Sequence, residues 1–215
     1  MKNKWEYGGT YKKYDMSGII EVQGGTLKVH NIFEPLPEFM KKADCIFCDP
    51  PCSKGNINTF YAKADRTDYQ ASFEPFTVRF FECIDEIKPK KLFLEVFKSN
   101  YDRFLKECQE RYKFIQIYQS KYYHNAKNIC WIICASNEPM EEYPFEGMDE
   151  EDVIYWIGKN VDYEVIGDLC MGTGLVGKSA LKAGKSFVGT ELNAKRLALL
   201  VDYVKNISCC ESKNL

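Results

Sequence analysis

The sequence predicts an α/β protein built on a mostly parallel sheet with helices on both faces. Three observations predict it. Residues 43–48 and 92–97 are strand-length, nearly continuous apolar runs, as strands covered on both faces must be. Between them Phe76, Phe80, Phe81, Ile84 and Ile87 recur at helical spacing. Farther on, residues 165–170 read as a strand, 171–174 as a tight glycine turn and 175–183 as a helix closed by Gly184.

The remaining elements follow in order. Residues 26–30 form a short strand, followed by a proline-punctuated connection and a helical turn. The strand at 43–48 ends at Asp49-Pro50-Pro51. Residues 53–70 are polar and read as a mobile loop, and loops at strand C-termini are where α/β proteins place their chemistry. The helix at 76–87 stops before Pro89, the run at 92–97 is a central strand, and 101–111 is a further helix. Residues 114–118 and 129–135 are the arms of a hairpin, joined by the polar segment 119–128. Acids at 149–152 open a helix with a buried stripe at Val153, Trp156 and Ile157. A strand at 186–190 delivers Glu191, and Asn193 caps a last helix with its stripe at Leu197, Leu200, Val201 and Val204. The expectation is one domain over residues 1–215, with 1–25 as an N-terminal arm.

With 29 Lys and Arg against 31 Asp and Glu, the whole molecule offers no net attraction to a polyanion, so nucleic-acid contact must come from local patches. Two stand out: Lys2, Lys4, Lys12 and Lys13 interleaved with Trp5, Tyr7, Tyr11 and Tyr14, and the segment 119–128 with Lys121, Tyr122 and Tyr123. Basic groups suit phosphates and aromatic faces suit unstacked bases. No run reaches the 18 or more apolar residues of a membrane span, and the first residues lack a signal-peptide pattern, so a cytoplasmic protein without membrane contact is expected. The ten cysteines lie mostly in apolar runs and read as buried thiols. Cys45, Cys48 and Cys52 have a weak metal-like spacing, but no second pair completes a zinc site, and no metal is expected.

A strand ending in Asp168-Leu169-Cys170-Met171-Gly172-Thr173-Gly174 lets backbone approach a ligand closely and aims helix N–H groups at it. Glu191, at the end of the next strand, is placed to accept hydrogen bonds from both ribose hydroxyls of a nucleoside. With Gly177 the turn also satisfies a dinucleotide pattern, so a nicotinamide dinucleotide stays open. Asp168 favours the cationic methionine part of S-adenosylmethionine over a pyrophosphate. At the other strand end, Asp49 can accept one hydrogen of an amino group and the Pro50 carbonyl the other. Together they hold a delocalised nitrogen closer to tetrahedral with its lone pair aimed at a methyl-sulfonium. The adjacent Pro50 and Pro51 present those acceptors rigidly.

Asp49-Pro50-Pro51-Cys52, Asp168 to Gly174 and Gly189-Thr190-Glu191-Leu192-Asn193 together resemble the amino-directed (N6-adenine and N4-cytosine) DNA methyltransferases. The catalytic motif precedes the glycine motif, as in the circularly permuted β-group of that family. The resemblance implies a Rossmann-like class I methyltransferase fold, a mostly parallel seven-stranded sheet with one antiparallel hairpin. It implies S-adenosylmethionine as cofactor, held by Asp168, Cys170, Met171, Gly172, Thr173, Gly174, Glu191 and Asn193. Asp49, Pro50, Pro51 and Cys52 are the implied catalytic positions and DNA the implied partner. Three departures stand beside it. Cys52 replaces the usual aromatic residue that stacks on the flipped base, leaving Phe60, Tyr61, Tyr122 and Tyr123 as stacking candidates, with Lys54 and Lys121 as neighbouring cations. Leu169-Cys170 replaces Pro-Phe. Residues 136–148 are too few for a target-recognition insert, so specificity is minimal, comes from the 53–70 segment, or is supplied by a homodimer or partner subunit. Competing readings are a partner-dependent cofactor-binding subunit and an N-methyltransferase acting on RNA or a protein amide.

Overall fold

The computed structural model describes residues 4–66 and 73–211. Lys2, the side chain of Lys4 and positions 67–70 of the expected loop lie outside the described residues. A kinked 3-10 segment, Lys4–Lys13, opens the chain. Then come β1 (Ile19–Val22), β2 (Gly25–Val29), a 3-10 turn (Glu38–Lys42), β3 (Cys45–Cys48), α1 (Lys54–Lys63) and α2 (Phe73–Ile87). They are followed by β4 (Lys91–Val96), α3 (Tyr101–Arg111), β5 (Phe114–Tyr122), β6 (Asn125–Ser136) and α4 (Glu150–Asn160). The last elements are β7 (Val165–Asp168), α5 (Leu175–Lys182), β8 (Ser186–Glu191) and α6 (Ala194–Glu211).

The strands form an eight-stranded sheet in the order β1-β2-β8-β7-β3-β4-β6-β5. From β2 to β4 every neighbour is parallel, and β6 runs antiparallel between β4 and β5. Seven of these strands match the expected sheet with its hairpin. The eighth, β1, pairs antiparallel with β2 at one edge. Its alternation of exposed and half-buried residues is too short to register as a strand in the sequence.

Two further differences bear on the site. The polar stretch expected to be a loop is helical from Lys54: Ser53 Oγ accepts a hydrogen bond from Asn56 N at 3.3 Å and caps α1. Gly, Asn and Thr mask the helical signal, which is carried by Ile57 and Tyr61, buried four residues apart. The hairpin arms are also longer than expected, and the segment 119–128 belongs mostly to them. Only Tyr123 and His124 form the turn, both at positive φ, as a two-residue connection between twisted strands requires.

The N-terminal residues dock on α6. Tyr14 Oη donates to Asp202 at 2.7 Å, Lys13 Nζ pairs with the same carboxylate at 3.0 Å, and Lys195 pairs with Glu6 at 2.7 Å. Lys63 Nζ sits 3.5 Å from the Trp5 ring centroid. Several of the groups read as a nucleic-acid patch thus make internal contacts.

The sheet is packed on both faces. On one, Phe80, Phe81 and Phe104 from α2 and α3 are buried in mutual ring contact. On the other, Ile157, Val176 and Leu200 from α4, α5 and α6 cover Phe47 and Phe93. Residues 137–148 join this second core: Tyr143 and Phe145 stack at 5.1 Å and meet Phe93 and Trp156 edge-on. From β3 the chain proceeds through α1 and α2 to one side of the sheet, and from β7 through α5 to the other, so the crevice between their C-terminal ends is a topological switch point. Replacing Phe104 by Ala is expected to lower stability by about 3–5 kcal/mol in urea unfolding, since the cavity would open inside this ring cluster.

Candidate active site

Asp49 stands one residue beyond β3, Asp168 ends β7 and Glu191 ends β8, all at the same edge of the sheet. The β7–α5 turn is held by backbone contacts. Asp168 Oδ1 accepts from Cys170 N at 2.8 Å, Met171 N donates to Thr190 O at 2.9 Å, and Gly174 N to Met171 O at 2.8 Å. Gly172 and Gly174 both adopt positive φ, and a Cβ on Gly174 would lie within 3 Å of Leu200. Glu191 grips the turn: Oε2 accepts from Gly172 N at 2.7 Å and Oε1 from Asn193 N at 2.9 Å.

Three cavities meet at Asp49. The first, of about 640 Å³, is bordered by Glu191, Leu192, His30, Phe60, Tyr61 and Arg196. The second, of about 530 Å³, lies over Pro50, Pro51 and Cys52 and is walled by Phe60, Phe97 and Tyr122. The third, of about 680 Å³, runs from Asp49 along Asp168 and the glycine turn to Glu95, Glu150 and Tyr123. The hairpin tip reaches it because Glu150 accepts from Tyr123 N at 3.0 Å through both oxygens, and Asp149 Oδ2 accepts from His124 N at 2.6 Å.

Of the residues singled out in the sequence, Asp49, Pro50, Pro51, Cys52, Phe60, Tyr61, Tyr122, Tyr123, Asp168, Cys170, Met171, Gly172, Thr173 and Glu191 border one or more of these cavities. Cys52 Sγ donates to Asn56 Oδ1, which ties the Asp49–Cys52 segment to the first turn of α1. Gly174 lies behind the turn against Leu200. Asn193 borders neither the first nor the third cavity: its side chain donates to Lys63 O at 3.0 Å and accepts from Lys195 N at 2.9 Å. Lys54 and Lys121 are exposed and lie outside the three cavities.

Four residues of the site escaped sequence reading. Arg196 borders both the first and the third cavity, its guanidinium 5.5 Å from the Phe60 ring centroid and close to Gly172. A cation in the first turn of a helix opposes the helix dipole, and that was the available signal. Phe97 follows β4 beside the Asp-Pro-Pro segment and meets Tyr122 edge-on at 4.8 Å. Glu95 is the single acid in an apolar strand run. His30, buried against the first cavity with both ring nitrogens free of hydrogen bonds, carried no signal.

The electrostatics of the site are those of carboxylates crowded in low dielectric. Burial pushes Asp168 up to about 7, opposed by the Cys170 N–H and the Cys48 thiol and reinforced by Glu191 and Asp49. Asp49 is open to the cleft but set among protein at its base, and lost hydration raises it to about 7. The Arg196 guanidinium counters that rise, while Glu150 adds to it. Burial lowers His30 to about 4, so its ring is neutral. The glycine cradle, the acid gripping it and the neutral His30 fit a nucleoside carrying a cationic side arm. Among the described residues no group of three or more His, Cys, Asp or Glu is arranged to hold a metal ion, and no helix is long and apolar enough to cross a membrane.

No family model matches the sequence, and no curated protein aligns with it. Solved structures do resemble it. M1.HpyAVI in complex with SAM superposes with a TM-score of 0.53 at 12% identity, over 81% of this chain and 96% of that one. TTHA0409, a putative DNA modification methylase from Thermus thermophilus complexed with S-adenosyl-L-methionine, gives 0.56 at 14%, over 80% and 90%. The cytosine-N4-specific PvuII DNA methyltransferase gives 0.56 at 9%, over 81% and 86%. The chain therefore has the class I methyltransferase fold shared with these DNA methyltransferases.

Asp168 makes the stability of the ligand-free protein depend on pH. Its folded-state pKa of about 7 lies above the ordinary 3.8, so the stabilisation is present below pH 4 and lost as pH rises through 7. Asp168→Asn is expected to flatten the fall in melting temperature between pH 5 and pH 8, measured by circular dichroism; an unchanged slope would contradict the assignment.

Proposed function

We propose that this chain is an S-adenosylmethionine-dependent DNA methyltransferase acting on an exocyclic amino nitrogen, with N6 of adenine as its target. The observation that carries the reading is the convergence of three cavities on Asp49, one bordered by Glu191, one by the glycine turn and one by aromatic rings over Asp-Pro-Pro. Two of the similar structures contain SAM, and the third is named for cytosine N4, which supports the cofactor and the amino-directed chemistry. Adenine is preferred because Asp at the first catalytic position resembles the adenine enzymes, whereas the cytosine-N4 enzymes often carry Ser there.

S-adenosylmethionine, when bound, supplies an electrophilic methyl group on a sulfonium. Glu191 and His30 face the nucleoside side, with Asp168 toward the cationic arm. The Asp49 carboxylate and the Pro50 carbonyl accept the two hydrogens of the target amino group and orient its lone pair. Phe60, Phe97 and Tyr122 take the faces of a base rotated out of the helix, the work that Cys52 cannot do.

A second reading is a subunit that binds cofactor but needs a partner to methylate. It is favoured by residues 137–148, where Tyr143 and Phe145 are buried in the core and no recognition insert is present. Transfer of labelled methyl groups by the isolated chain to mixed-sequence DNA, RNA and protein separates the readings, and digestion to nucleosides distinguishes adenine from cytosine. Asp49→Ala is expected to reduce transfer by at least about 100-fold with S-adenosylhomocysteine binding retained; undiminished methylation would sink the mechanism. Phe97→Ala is expected to weaken DNA binding by roughly 5- to 100-fold in a fluorescence titration, the loss of one stacking face.

A further inference from the structure

Glu95 lies in the apolar strand β4 and is only 2% exposed. Its Oε1 is buried and accepts no hydrogen bond. Register pairs Cys48 with Leu94, so Glu95 is the next rung and flanks Asp49 across neighbouring parallel strands. Like Phe93 it faces α4 and α5, where it borders the cavity that reaches the glycine turn.

Three neighbouring carboxylates have donors. Asp168 is held by Cys170 N, Glu150 by Tyr123 N and Asp149 by His124 N, the last also facing His124 Nδ1 at 3.0 Å. Glu95 is different: native proteins rarely leave a buried acceptor unfilled, and one that borders a cavity calls for a donor arriving through it. The charged and titratable groups around it are Asp49 beyond β3, Asp168 and Cys170 at the end of β7, Asp149, Glu150 and Glu151 at the start of α4, Tyr122 and Tyr123 at the hairpin, Cys130 on β6 and Arg196 on α6. Arg196 is the cation among them. The site therefore asks for a positively charged donor.

We propose that Glu95 receives the α-ammonium group at the methionine end of the cofactor. The assignment rests on the cofactor reading above and adds to it a residue on a strand outside the glycine motif. The same cavity offers a place for the carboxylate of that amino-acid head, because the first turn of α5 and Arg196 both border it. The base-side cavity over Cys52 does not include Glu95, so the target amino group is the weaker match.

In the free protein, desolvation reinforced by Asp49, Glu150 and Asp149 pushes the Glu95 carboxyl well above the usual carboxylate range, which favours its protonated form. An arriving ammonium favours its carboxylate, so binding must expel a proton. Calorimetric titration at pH 7, in two buffers of different ionisation enthalpy, reads that proton directly. S-adenosylhomocysteine carries the amino-acid head; 5′-methylthioadenosine lacks it. The expected result is release of up to about one proton when the wild type binds S-adenosylhomocysteine. Glu95→Gln should bind it roughly tenfold more weakly and with a smaller release. Glu95→Asp should keep the release at reduced affinity, and methylthioadenosine should bind all three proteins alike. Equal affinity and equal proton release in Glu95→Gln would overturn the assignment while leaving the proposed function standing. Equal weakening of both ligands would also overturn it, since Glu95 would then serve packing alone. Failure of the wild type to bind either ligand would remove the cofactor reading itself.

Discussion

The carboxylate of Glu191 holds one backbone N–H from each of the two turns that border the cleft, Gly172 of the β7–α5 turn and Asn193 of the β8–α6 turn. A single buried acid thus sets the distance between the glycine cradle and the start of α6. Asn193, placed by that bond, caps α6 and anchors the end of α1 through Lys63. Arg196 follows three residues later and enters the cleft from the helical turn that this cap positions. Charge-assisted bonds to backbone are among the stronger non-covalent ties, and here two of them join the turns before α5 and α6 to the end of β8.

The opposite wall is organised by the same chemistry. Asp149 and Glu150, in the first turn of α4, bind the N–H groups of the hairpin tip. A tight turn with two non-glycine residues at positive φ carries local strain, and the carboxylates offset it. Their placement explains why acids gather in that helical turn: they serve the helix dipole and a neighbouring loop at once. The cost is a crowded set of carboxylates around one cavity, in which Asp49 and Asp168 both move up toward neutrality.

Much of this is legible in the sequence. Strands buried on both faces announce themselves by unbroken apolar runs, and the glycine turn with an acid at the next strand end is a spacing that backbone geometry enforces. What stayed hidden has physical reasons. Strand β1 is short and at an edge, so it has no buried alternation to read. Helix α1 is amphipathic only through Ile57 and Tyr61, and its capping Ser53 resembles loop chemistry until a helix is known to follow. Phe97 and His30 belong to the site through tertiary placement, since each is ordinary among its sequence neighbours, whereas Arg196 is marked only as a cation in the first turn of a helix. Glu95 is the instructive case. An acid within a core strand breaks the local pattern, and such violations concentrate where a ligand completes the structure.

The hairpin contact has a mechanical consequence. Because the first turn of α4 holds the backbone N–H groups of Tyr123 and His124, the wall that borders the glycine-side cavity is tied directly to the strand end that carries Tyr122. The two sides of the cleft therefore share one hydrogen-bonded support.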